Sequence, residues 1–374
     1  LMQAFSAKLI LILSVFFFSN KMLAAQNSLA IGKWRTHFNY SNSLLLVEAD
    51  FKYYCASEEG LYAIIKDEFT LQKLSTVDGF SGNQAVAMRY NTEYDLLFIA
   101  YNNNLIDIVS KNRISSLNAI ERSTVSQVKE IYDFNFHEDK VYVSTSFGLV
   151  VYDLTERDFT ESYIYIGKGG SERIGEITSV YDSKVRDNFI YALTEDGLIR
   201  APLNQSLNLQ DHRNWTLIKQ GSGNEMEIYK DNLYFNMNDT VYSYGENTFF
   251  LEYYRQGDEL RNLDVSDNHL MLSTDQKIFI HNGQSIIDSI NDPKCNQVIR
   301  LNSTTYLAAG ERFGVRFWEN KEITRYMNPN GPADDRVYSA RYMNGKVFFS
   351  SGGFNSSRFP AFRTEGYYEF KNER

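Results

Sequence analysis

Seven polar side chains recur at one place in a repeating pattern: Gln84, Gln127, Glu176, Glu225, Asn262, Gln297 and Arg336. Each stands close to where a short apolar segment begins, as in NQAVAM from Asn83, NEMEIY from Asn224 and NQVIRL from Asn296. Amides, carboxylates and a guanidinium supply directional donors and acceptors. A set of them gathered at one mouth would suit a polar ligand. The simpler reading is that polar residues solvate the ends of buried strands.

Neither reading requires a catalyst. The five histidines, His37, His137, His212, His269 and His281, lack the spacing of a zinc motif such as HExxH. The chain has no GxSxG elbow and no GxxxxGK[ST] loop. Asp139, Asp187, Asp231 and Asp267 fall where turns are expected, as do His137 and His269. Asp and Asn are ordinary turn residues, and no stretch has the pattern of a calcium loop. The run GKGGSERIGE from Gly167 lacks the Lys-Ser/Thr pair and following helix of a phosphate loop. We assign no catalytic residue, no metal ligand and no cofactor. A polysaccharide enzyme would need paired acids, and the spacing picks out no such pair.

The elements that must position the seven residues come in repeats. Hairpin-like stretches begin at Lys52 (KYYCASEEGLYAI), Asp95, Lys140 (KVYVSTSFGLVVYDL), Asn188, Asp231, Asn268, Thr304 and Gly345. Tyr54, Leu97, Tyr142, Tyr191, Tyr234, Leu270, Tyr306 and Phe348 occupy one matching apolar position, about forty residues apart. A short apolar strand precedes each hairpin. A fourth strand follows several of them, as in TLQKLST, RISSLN, NWTLIKQ, SIIDSI and EITRYM. Four antiparallel strands per period make a propeller blade, and face-to-face stacking buries what one blade leaves exposed. The fold class is therefore all-β: a β-propeller of four-stranded antiparallel blades, expected to be seven-bladed although eight repeat units are counted. GKWRTHF, from Gly32, resembles a fourth strand and would complete an eighth blade. MNPNGPADD, from Met327, is instead the most linker-like stretch, and residues beyond it would begin a second body. The expected division is residues 1–25, then a propeller over 26–330, then a further blade over 331–374.

Residues 1–25 read as a secretory signal peptide. Lys8 precedes an apolar run from Leu9 to Phe18, and the small residues Ala24 and Ala25 offer a cleavage site. The run is short for a membrane span. Cleavage removes Lys8 and Lys21 and no acid, leaving 36 basic against 47 acidic residues and moving the net charge from −9 to −11. So acidic a body argues against nucleic acid and against general attraction to anionic lipid. Cys55 and Cys295 are the only cysteines. Export would permit a bridge between them, and free burial is the alternative.

The stretches GKWRTHFNYSNSLLLVEADFKYYCASEEGLYAI and LQKLSTVDGFSGNQAVAMRYN resemble the N-terminal propeller of the PorZ family, components of bacterial type IX secretion. The likeness is strongest from Gly32 to about Leu203. It implies an exported protein without catalytic activity that acts at the outer-membrane surface with a sortase-like protease complex. It also implies support for attaching cargo proteins to lipopolysaccharide. STVDGFSGNQAVAMRYN further resembles the sensor propellers of hybrid two-component regulators, which implies a periplasmic ligand-sensing role as the alternative.

Overall fold

In the computed structural model the described residues are 36–370, apart from 112, 126, 168–176, 205, 333–336, 355 and 361–366. The expected signal peptide, most of GKWRTHF and nearly all of GKGGSERIGE lie outside them. Among the described residues the chain is almost entirely strand, and no helix is long and apolar enough to cross a membrane.

Seven four-stranded antiparallel sheets follow one another along the chain, each running from inner to outer strand in sequence order. We number them blades 1 to 7. Their inner strands are Ser43–Glu48, Ala85–Asn91, Ile131–His137, Val180–Arg186, Met226–Tyr229, Leu260–Ser266 and Cys295–Arg300. Each inner strand touches the next, and that of blade 7 returns to that of blade 1, so the ring closes at seven. Two of the outer strands, Asp158–Tyr163 and Thr248–Tyr254, carry no clear sequence signal of their own. Asp158–Tyr163 mixes acids with aromatics, and Thr248–Tyr254 is a nearly continuous apolar run that is largely exposed, so neither shows a clean alternation.

Tight turns fix the registers. Asp187-Asn188, Lys230-Asp231 and Asp267-Asn268 have positive φ at both residues. That is the type I′ geometry, whose twist matches paired strands. Asp and Asn tolerate this backbone, which explains the acids noted at these places. Gly148 has a different task. The turn ends at Phe147, and Gly148 already pairs with Thr145 as the first residue of the next strand. A Cβ there would stand 2.1 Å from the Tyr163 carbonyl oxygen, and its φ is +119°.

The core is divided among the blade interfaces. Tyr142 and Leu149 of blade 3 pack on Val180, Ile190 and Trp215 of blade 4. Leu97, Ile99 and Tyr101 of blade 2 pack on Ala56, Leu61 and Ala63 of blade 1. Tyr62 and Ile64 of blade 1 pack on Leu307, Val315 and Met327 of blade 7. Closure uses no strand exchange. Instead the Tyr62 hydroxyl bonds the Met327 carbonyl at 3.3 Å, Gln297 Oε1 accepts from Leu46 N at 2.8 Å, and Asn296 Nδ2 donates to the Ser43 carbonyl at 2.9 Å. Cys55 and Cys295 are buried and free, so no bridge joins them. They belong to separate apolar clusters, where a thiol packs as a small hydrophobe.

The chain forms two compact units, Phe38–Pro329 and a second that takes His37 and the residues from Asn330 onward. The second contains a three-stranded sheet of Val337–Met343, Lys346–Ser351 and Tyr367–Phe370. His37 meets Phe370 edge-on there, with ring centres 4.6 Å apart.

Candidate functional site

The inner strands share a defect that builds the site. In blades 1, 2, 3, 4, 6 and 7 the register between the inner strand and its partner slips by one residue near the inner strand's start. Such a bulge turns the extra residue aside and re-aims its successor. The successors are Leu45, Ala87, Asp133, Asp182, Asn262 and Gln297. In blade 5 the matching residue is Glu225, whose carbonyl accepts from the Asn236 amide and whose amide donates to Asn236 Oδ1. All seven line one cavity of about 370 Å³ in the ring.

Blades 4 to 7 therefore place Asp182, Glu225, Asn262 and Gln297 in sequence around the axis, and blade 3 adds Asp133. Residues two further along each strand supply a second tier, in which Arg89, Lys184, Glu227 and Asp264 carry charge. Arg89 grips Asp133 with two bonds, of 2.9 and 3.1 Å, and stands 3.8 Å from Asp264. Lys184 donates to Asp182 at 3.0 Å and lies 3.6 Å from Asp133 and 3.8 Å from Glu227. Gln297 Nε2 donates to Asp264 at 3.1 Å, while Asn262 Nδ2 and the Leu263 amide both donate to Glu225 Oε2 at 3.3 Å.

Two cations thus face five carboxylates. Burial and the neighbouring Asp182 carboxylate push Glu225 up to about 8, against the pull of Arg89. Burial also pushes Asp182 up to about 7, opposing Lys184 beside it. Glu227 is raised mainly by burial. Although burial opposes it, Arg89 and Lys184 together hold Asp133 below the usual carboxylate range. The same carboxylates keep Lys184 firmly protonated against its own burial. The excess negative charge is incompletely neutralised, which is the electrostatic character of the site.

The seven residues expected from sequence separate into three groups. Glu225, Asn262 and Gln297 are brought together in the cavity. Gln84 is exposed, three residues ahead of the ring position, and bonds Asn102. Gln127 is exposed, six residues ahead of the ring position held by Asp133, and is no part of the cavity. The expected start of that inner strand at SQVKEI is displaced to Ile131. Glu176 and Arg336 lie outside the described residues. Sequence reading missed Arg89, Asp133, Asp182, Lys184, Glu227 and Asp264. Their signal was a charged residue inside an otherwise apolar inner strand, as in AVAMRYN, IYDFNFH and VYDSKVR.

The histidines have other roles. His269 Nδ1 contacts the Asp267 carbonyl at a turn. His281 is buried and its Nε2 donates to Glu252 at 3.1 Å, while its Nδ1 accepts from Gly283. Among the described residues no group of three His, Cys, Asp or Glu could hold a metal ion.

A family model described as the N-terminal β-propeller domain of PorZ, of the type IX secretion system, matches residues 53–216. This bears out the expected PorZ likeness from blade 1 into blade 4. The solved structure of PorZ from Porphyromonas gingivalis, described as an essential bacterial surface component of that system, is similar with a TM-score of 0.71 and 21% identity. The match covers 87% of this chain and 43% of PorZ, so the chain spans less than half the length of that relative. The extracellular domain of a protein from B. thetaiotaomicron described as a hybrid two-component system is similar with a TM-score of 0.55 and 14% identity, covering 86% of this chain and 45% of that one. The β-propeller of Cps50 (Swd1) from Myceliophteria thermophila gives 0.55 and 12%, covering 76% and 99%. At these identities the structures speak to the propeller fold. No curated protein matches the sequence.

Proposed function

We propose that this chain, whose residues 53–216 carry the PorZ propeller signature, is a non-catalytic binding component of type IX secretion. That family match is the observation that carries the reading. The finer proposal is that it supports the attachment of cargo proteins to lipopolysaccharide at the outer-membrane surface, with a sortase-like protease complex as its protein partner. The apolar leader at Leu9–Phe18 and the acidic body support an exported setting. Propellers suit such work because a rigid ring presents many loops at once without conformational cost. We also propose that residues 331–374 begin a second propeller. Their sheet supports this, since every residue of Val337–Met343 is exposed and offers a face for a following blade.

The test is affinity capture from outer-membrane extract of a type IX-secreting bacterium, using the protein with its natural continuation. Secretion-system proteins or lipopolysaccharide should be recovered. Recovery of neither would contradict the proposal. Polysaccharide cleavage abolished by Glu225→Gln would overturn the non-catalytic assignment.

The likeness to the B. thetaiotaomicron extracellular domain favours a second reading, a periplasmic ligand-sensing propeller. The continuation of the gene separates the two. A membrane-spanning helix followed by a kinase belongs to the sensor, and a second propeller belongs to the secretion component.

A further inference from the structure

Glu225 differs from the other four carboxylates of the channel. Asp133, Asp182, Glu227 and Asp264 each have Arg89 or Lys184 within 4.0 Å. Glu225 has no basic side chain within that distance among the described residues. Its Oε2 takes two long bonds of 3.3 Å, from Asn262 Nδ2 and Leu263 N. Asn262 supplies a second, independent sign. It is only 9% exposed, lines the cavity, and its Oδ1 is buried without a hydrogen-bond partner. A buried acceptor left unpaired costs about 1–3 kcal/mol, so such an atom marks a place where a donor is wanted.

The neighbouring blades 3 and 4 add an aromatic pair. Tyr132 and Tyr181, the residues turned aside by two of the bulges, line the same cavity with ring centres 5.2 Å apart. Glu130 accepts from the Tyr132 hydroxyl at 2.8 Å. Glu130 and Glu195 both add to burial in holding these two phenols above their ordinary range. One unpaired acceptor, a carboxylate without a basic partner and aromatic faces all select positive charge.

We propose that the channel cavity binds an organic cation, an ammonium or guanidinium group, at the part of its wall shared by Glu225, Asn262 and the Tyr132–Tyr181 pair. About 370 Å³ accommodates a short alkyl amine or one lysine or arginine side chain. Metal is disfavoured by the lack of a three-ligand cluster among the described residues. Glu225 faces Asp182, Asp133 and Arg89 most directly, with Lys184, Glu227 and Asp264 beyond them. Burial and Asp182 keep its carboxyl largely protonated at neutral pH. An arriving cation therefore displaces a proton, and affinity rises with pH up to about 8. The site is independent of the secretion assignment, which stands or falls on capture from outer membrane.

The experiment is isothermal titration of the whole protein with agmatine, n-butylamine and n-butanol, in buffers of different ionisation enthalpy. A capped lysine or arginine amide forms a further arm, separating free amines from protein side chains. The expected result is saturable binding of a cationic probe, proton release, and at least about tenfold weaker binding in Glu225→Gln. The glutamine keeps an acceptor for the Leu263 amide, so the fold should persist, and proton release in the unaltered protein is a separate readout. Absence of saturable binding by any cation at about millimolar concentration, equal binding of n-butanol, or an unaltered affinity in Glu225→Gln would each overturn the proposal.

Discussion

At the scale of residues, the channel carboxylates give the protein a pH response with a definite sign. Glu225 and Asp182 titrate higher when folded than their ordinary values. The folded state then holds more protons than the unfolded chain between roughly pH 4 and pH 8, so stability falls as pH rises through that window. Asp133, held low, is ionised in both states over most of that range and adds little slope. His281, held low mainly by burial, works in the opposite sense just below its ordinary value. Glu225→Gln should raise the thermal midpoint at pH 8 by about 2–4 °C and flatten its decline between pH 5 and 8. Thermal denaturation across that range checks both effects. Gly148 gives a complementary case. Gly148→Ala places a methyl group against the Tyr163 carbonyl in a left-handed backbone. The expected loss is about 2–4 kcal/mol by denaturant titration.

At the scale of elements, ring closure rests on a few side-chain clasps and one apolar interface. Gln297 accepts from blade 1 and donates to blade 6, so Gln297→Ala orphans the Leu46 amide and weakens the hold on Asp264. We expect a cost of about 1–3 kcal/mol, read as a shift in denaturant midpoint without a change in slope. The hairpins were legible in the sequence because alternation, anchor tyrosines and turn acids recur with one period. The ring position was legible in blades 5, 6 and 7, where the inner strand follows its polar starter directly. It was lost in blades 3 and 4, where long connections precede Ile131 and Val180. Alternation cannot report a bulge, since one extra residue reverses which side chain faces the axis. Nor can it tell Asp182 and Lys184, buried and paired with each other on one inner strand, from charged residues facing water. For Cys55 and Cys295 the sequence left a bridge and free burial both open, and the structure shows free burial, in two separate clusters.

At the scale of the whole molecule, seven blades close over residues 43–327 with an axial channel whose carboxylates outnumber its cations. The chain is acidic, with 38 basic against 47 acidic residues, so general attraction to polyanions is disfavoured. Residues 53–216 match the model of the PorZ N-terminal propeller, and both the role in type IX secretion and the attachment role are proposed from that likeness. Its most direct test is deletion of the gene in a host that carries the secretion apparatus, followed by fractionation of cargo between cell surface and medium. The account predicts that cargo is no longer anchored at the surface, and that restoring the gene returns it. Unchanged surface anchoring of cargo in the deletion strain would contradict it.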